Sequence, residues 1–178
     1  NQEMQEVDRE TIHEIGIPGL VLMERASKAV ADCVLSCVDK NSKILVIAGI
    51  GNNGGDALAA ARILLEQAQA VDFMVAGDLK KASGDLKTQL NILGNLGYEP
   101  LDETDFSAYD LILEGIFGVG LTREVGGVYK DIIERINASG KKIISIDIPS
   151  GISGDSGKVL GCAVHADITV TFGGYKRG

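Results

Sequence analysis

A chain of 178 residues with 45% hydrophobic and 24% charged residues can bury one sizeable core and does not need a second domain, so residues 1–178 are read as one unit. The 23 glycines against 3 prolines point to tight turns within an ordered fold. A net charge of −8 repels phosphate backbones and anionic lipid, which argues against nucleic acid and membrane as partners.

No apolar run approaches a bilayer span, and the opening "NQEMQEVDRETIHEIG" is acidic and amphipathic rather than a leader sequence. The expectation is a cytoplasmic, non-secreted protein. Cys33, Cys37 and Cys162 form no framework pattern, which suits a reducing compartment. Cys33 and Cys37 stand four apart on an apolar helical stripe without a nearby histidine, so they read as core packing rather than as metal ligands.

In chain order, Met4, Val7, Thr11 and Ile15 recur at helical spacing, and "GIPG" breaks them from a second helix with Met23, Ala26, Val30, Cys33 and Cys37 inward. A regular alternation follows: strand 43–48, helix 56–69, strand 70–76, helix about 84–96, strand 109–115, helix 126–139, strand 142–147 and strand about 164–172. Alternating strands and helices predict a three-layer αβα sandwich around a mostly parallel sheet, preceded by two amino-terminal helices. "ILVIA", "LILEGI" and "IISIDI" are nearly continuous apolar runs, as strands covered on both faces are.

Ligands of such sheets collect at the carboxyl ends of the strands. Three of these ends carry chemistry: "GIGNNGGD" after the first strand, "FGVGLTREVGG" after the third, and "DIPSG" after the fourth. Glycines 49, 51, 54 and 55 permit a tight turn with amide N–H groups at a helix start. Asp56 reads as that helix's N-cap, where an acid favours the helix and repels a phosphate. Arg123 is a cation near the second loop, Asp147 a carboxylate at a strand tip, and Lys176 an ammonium just past the last strand. Each also has a plain reading, as a solvated arginine, a structural acceptor and a surface lysine. "GDSG" at 154–157 reads as a turn, and the "GK" that follows lacks the spacing of a phosphate loop.

These motifs resemble the NAD(P)H-hydrate epimerase family, the amino-terminal module of bifunctional hydrate-repair proteins. The resemblance runs through "GIPGLVLMERA", "GNNGGD", "FGVGL", "DIPSG" and "ADITVTFG" with its trailing Lys176. It implies a Rossmann-like fold and an isomerase that interconverts the R and S forms of NADH or NADPH hydrated at nicotinamide carbon 6. Dinucleotide contacts would fall on Asn52, Asn53, Gly54, Gly55 and Asp56, on Gly118, Val119, Gly120, Leu121, Thr122, Arg123 and Glu124, and on Tyr129 and Asp147. Asp147 and Lys176 would be the catalytic pair. A potassium ion would fall near Asn53, Glu114 and Ser150. A homodimer, and an NAD(P)H-hydrate dehydratase as fused or separate co-worker, are further implications.

Two positions depart from the family pattern. Ala57 stands where glycine is usual after "GNNGGD", and Glu114 where aspartate is usual before "A-x-F-G". Two other readings remain open. One is a non-catalytic scaffold of the same fold, as in a relative from messenger-RNA decapping, which "GNNGGD" together with Asp147 argues against. The other is a dehydrogenase with Asp78 as ribose ligand, which Asp56 at the pyrophosphate position argues against.

Overall fold

The computed structural model describes residues 13–172. Of the expected first helix, Met4, Val7 and Thr11 lie outside them, as does Lys176, while Ile15 is described as an exposed bend residue rather than part of an inward helical stripe. Within them, helix α1 (Gly19–Leu35) leads into β1 (Lys43–Ala48), α2 (Asn52–Glu66), β2 (Ala70–Val75), α3 (Gly84–Asn95), β3 (Leu111–Gly115), α4 (Val128–Ala138), β4 (Lys142–Ile146) and β5 (Ile168–Val170). Short 3-10 turns cover Leu79–Lys81 and Phe106–Ala108.

The five strands form one parallel sheet in the order β2-β1-β3-β4-β5. Each of β1, β3 and β4 is buried along nearly its whole length, which explains the unbroken apolar runs. Side chains of β1 alternate between two cores. Ile44, Val46 and Ala48 pack under α1, α2 and α3. Leu45 and Ile47 face Ile132, Ile133 and Ile136 of α4 on the other side. Helices therefore cover both faces, as the alternation predicts.

The chain reverses its direction of growth at β1, whose neighbours are β2 on one side and β3 on the other. That switch point leaves a crevice beyond the carboxyl ends of β1 and β3. The order is that of a doubly wound sheet.

Several boundaries differ from the expectation. Helix α2 begins at Asn52 with Gly51 as its N-cap in extended backbone (φ −92, ψ −169), four residues before the Asp56 start read from the sequence. Asp56 is therefore not a cap; it lies within the second turn, clear of the positive end of the helix. Strand β5 is three residues long rather than nine, entering the sheet where the Asp167 carboxylate accepts the Ile143 N–H at 2.7 Å. On α1 the buried stripe is Met23, Ser27, Val30, Ala31 and Val34, with Ala26 at its margin. Ser27 joins the core because its hydroxyl donates to the Asp56 carbonyl at 3.0 Å. Cys33 and Cys37 pack against the same core as half-buried thiols.

Candidate functional site

The crevice opens as a cavity of about 740 Å³ lined by Ile50 to Asn53, Asp56, the run from Ile116 to Arg123, Tyr129, Asp147 and Phe172. That volume lies within the range that holds a small-molecule or cofactor fragment. The structure brings Asn52, Asn53, Asp56, Gly118, Val119, Gly120, Leu121, Thr122, Arg123, Tyr129 and Asp147 to this one cavity. Gly54, Gly55 and Glu124 are not part of the lining. The two glycines instead permit close approaches: a Cβ on Gly54 would stand 1.8 Å from the Gly49 carbonyl oxygen, and one on Gly55 would stand 2.8 Å from Met23 Cε of α1. The start of α2 is thereby pressed onto the end of β1, and its first two residues, Asn52 and Asn53, line the cavity.

Tyr129, on the first turn of α4, stacks against Phe117 with ring centroids 4.8 Å apart at 53°. Both rings line the cavity. Asp147 presents its side chain from just past β4, in left-handed backbone (φ 67). Asp78 is not in the lining; its carboxylate accepts the Lys80 N–H at 3.0 Å and caps the first 3-10 turn. The ribose contact of an ordinary dehydrogenase therefore has no counterpart at Asp78.

Behind Phe117 lies a buried polar hub. Glu114 is fully buried on β3, directly beside Ser145 in the register of β4. Its Oε1 accepts the Ser145 hydroxyl and the Ser150 N–H at 3.0 Å. Its Oε2 accepts the Ser150 hydroxyl at 2.6 Å and the Ile116 N–H at 3.2 Å. Ser150 Oγ in turn accepts the Phe117 N–H at 2.8 Å. Burial pushes the Glu114 carboxyl above the usual range, and the bonds from Ser145, Ser150 and Ile116 oppose that rise. Ser145 was not singled out in the sequence, although a serine inside "IISIDI" is a polar break in a buried strand and so a legible signal.

A monovalent cation requires hard oxygen ligands. The Asn53 side chain on the cavity wall and the Ser150 hydroxyl behind it supply oxygen donors, and the Glu114 carboxylate a compensating negative charge, so the residues fit such an ion chemically. All four acceptor positions of Glu114 already carry donors, so its part is that of a charged anchor for Ser150.

A doubly wound parallel sheet with a ligand cavity at its switch point defines the class: a Rossmann-like α/β protein built to hold a small molecule. The chain belongs to the family described as YjeF-related protein N-terminus, whose match covers residues 19–178. It is 44% identical to the NAD(P)H-hydrate epimerase of Limosilactobacillus fermentum over 99% of this chain and 85% of that protein. To the epimerase of Weissella koreensis it is 41% identical over 99% and 80% of the two chains. It also matches the bifunctional NAD(P)H-hydrate repair enzyme Nnr of Thermofilum pendens, at 38% identity over 99% of this chain and 35% of that protein. Among solved structures, yeast ynu0 superposes with a TM-score of 0.86 at 25% identity, covering 99% of this chain and 80% of the yeast chain.

Proposed function

We propose that this chain is an NAD(P)H-hydrate epimerase, interconverting the R and S forms of NADH or NADPH hydrated at nicotinamide carbon 6. The reaction is supported by relatives of that name at 41–44% identity over nearly the whole chain. One observation of this structure carries the assignment of residues: Asp147 lines the same cavity as the Asn52–Asn53 helix start and the Gly118–Arg123 loop.

The chemistry follows from the substrate. Carbon 6 bears a hydroxyl and adjoins the ring nitrogen, so protonation and departure of that hydroxyl as water leaves a planar iminium. Water adds back to either face and returns the proton, which interconverts the epimers without net change in composition. The step needs a proton carrier and stabilisation of positive charge. Asp147 supplies both: its carboxylic acid gives the proton to the leaving hydroxyl, and the carboxylate left behind stands beside the iminium and recovers a proton from the adding water. Lys176 is proposed as the second proton-transferring group. The amides of the α2 start and Arg123 would hold phosphate oxygens, with the Gly118 to Glu124 loop and Tyr129 completing the substrate contacts.

A potassium ion near Asn53, Ser150 and Glu114 belongs to the same proposal; it would supply fixed positive charge to the dinucleotide. We further propose a cytoplasmic homodimer working with an NAD(P)H-hydrate dehydratase, a combination consistent with the bifunctional repair relative.

The test follows one enriched epimer of hydrated NADPH by chromatography, with wild type beside Asp147→Asn. Wild type is expected to equilibrate the epimers far faster than the spontaneous reaction, and Asp147→Asn to lose about 100- to 10,000-fold of that rate while still binding dinucleotide. A wild type that binds the hydrate yet leaves the spontaneous rate unchanged would make the chain a binding module instead.

A further inference from the structure

We propose that Asn53 is a positioning residue for Asp147, acting through the backbone turn that presents the carboxylate. The catalytic consequence rests on the epimerase reading above, whereas the contact itself does not. Strand β4 ends at Ile146, and the Ile148 N–H returns to the Ile146 carbonyl at 2.8 Å. This closes a three-residue turn with Asp147 at its centre, φ 67. A γ-turn of that sign is rare and strained for a residue with a Cβ, and it persists where the surroundings hold it in place.

Bonds from outside the turn brace this one. The Asp147 N–H donates to the Val170 carbonyl of β5 at 2.7 Å, fixing the entry to the turn. Asn53 Nδ2 donates to the Ile146 carbonyl at 3.2 Å, the same oxygen that closes the turn. Helix α2 and strand β4 are thus joined across β3 by one side-chain amide.

The reach of that amide is set by missing Cβ atoms. A Cβ on Gly115 would lie 2.7 Å from the Asn53 carbonyl oxygen, and one on Gly118 would lie 3.4 Å from Asn53 Cβ and Cγ. Asn53 is therefore seated closely against the end of β3 and the loop beyond it. Without the amide, the Ile146 carbonyl keeps, among the described residues, the bond inside the turn. Asp147 then relaxes toward extended backbone, and its carboxylate swings off the line that carbon 6 requires.

The test compares wild type with Asn53→Ala and Asn53→Asp in potassium-free buffer, so that loss of a cation ligand does not enter. Asn53→Asp keeps the size but replaces the donor by an acceptor facing a carbonyl. Two readouts are taken: kcat and KM for hydrated NADPH, and hydrogen exchange at the Ile148 amide. Both variants are expected to exchange Ile148 at least about tenfold faster, with β1 amides unchanged. The expected kinetic change is a kcat about 10- to 100-fold lower and a KM within about threefold of wild type. Unchanged exchange at Ile148 overturns the proposal whatever the rate does. A raised KM with kcat retained also overturns it, making Asn53 a substrate contact. If wild type shows no epimerase activity with potassium supplied either, the reaction assignment fails while the exchange result still decides whether Asn53 holds the turn.

Discussion

Glu114 and Ser150 are joined twice: the Ser150 N–H donates to Oε1 at 3.0 Å and its hydroxyl to Oε2 at 2.6 Å. The loop after β4 is thereby fastened to β3 only three residues beyond Asp147. Glu114→Ala strips an acceptor from four buried donors, and each donor left unpaired costs about 1–3 kcal/mol unless water enters. We expect Glu114→Ala to lose at least about 3 kcal/mol in urea unfolding. Glu114→Gln, which turns one acceptor end into a donor facing other donors, should lose less. Equal stability of wild type and Glu114→Ala would show that the hub contributes nothing to folding.

The Ala57 methyl occupies space that a side chain at 115 would need. A Cβ built on Gly115 would lie 2.9 Å from Ala57 Cβ. Gly115→Ala should therefore overpack the junction and destabilise by about 1–3 kcal/mol. Adding Ala57→Gly should recover at least about 0.5 kcal/mol of that loss, read as a coupling energy in a double-mutant cycle. Strict additivity of the two changes would contradict this steric account.

Tyr109 is buried, donates its hydroxyl to Asp72 at 2.9 Å and lies 3.0 Å from Thr104 Oγ1. Burial pushes its phenol above the ordinary value of 10.0; the Thr104 bond opposes the rise, and the Asp72 bond and charge add to it. A group with a raised folded pKa contributes stability that is complete below its unfolded pKa and is lost as pH rises through the folded one. Wild type should thus lose stability above about pH 10, with a slope of at most about 1.4 kcal/mol per pH unit from this group. Tyr109→Phe should flatten that slope while costing about 1 kcal/mol at neutral pH. The measurement is urea unfolding at a series of alkaline pH values.

Arg123 lines the cavity from an exposed loop position. If it meets a substrate phosphate, Arg123→Ala should raise KM for hydrated NADPH by about tenfold, with kcat nearly unchanged. The effect should shrink as salt is added, because an exposed charge contact is screened. A KM insensitive to both the substitution and salt would place the phosphates elsewhere.

Much of this molecule is determined by local rules that the sequence carries. Continuous apolar runs in "ILVIA" and "IISIDI" specify strands buried on two faces, and helical periodicity between them specifies crossovers, so the layered parallel fold follows. Glycine loops at strand ends also mark where a ligand goes, since parallel strands deliver all their carboxyl ends to one edge. What the tertiary structure decided depends on partners far apart in the chain. The order β2-β1-β3-β4-β5 selects which strand ends share the crevice, and no local pattern encodes it. Asp56 read as a cap, yet the close approach of Gly54 to Gly49 accompanies a helix that starts four residues earlier. Ser145 gained its meaning only when register placed it beside Glu114, 31 residues away. The turn at Asp147 likewise depends on an amide 93 residues from the carbonyl it holds, because backbone strain is sustained by long-range contacts and leaves no mark in neighbouring residues.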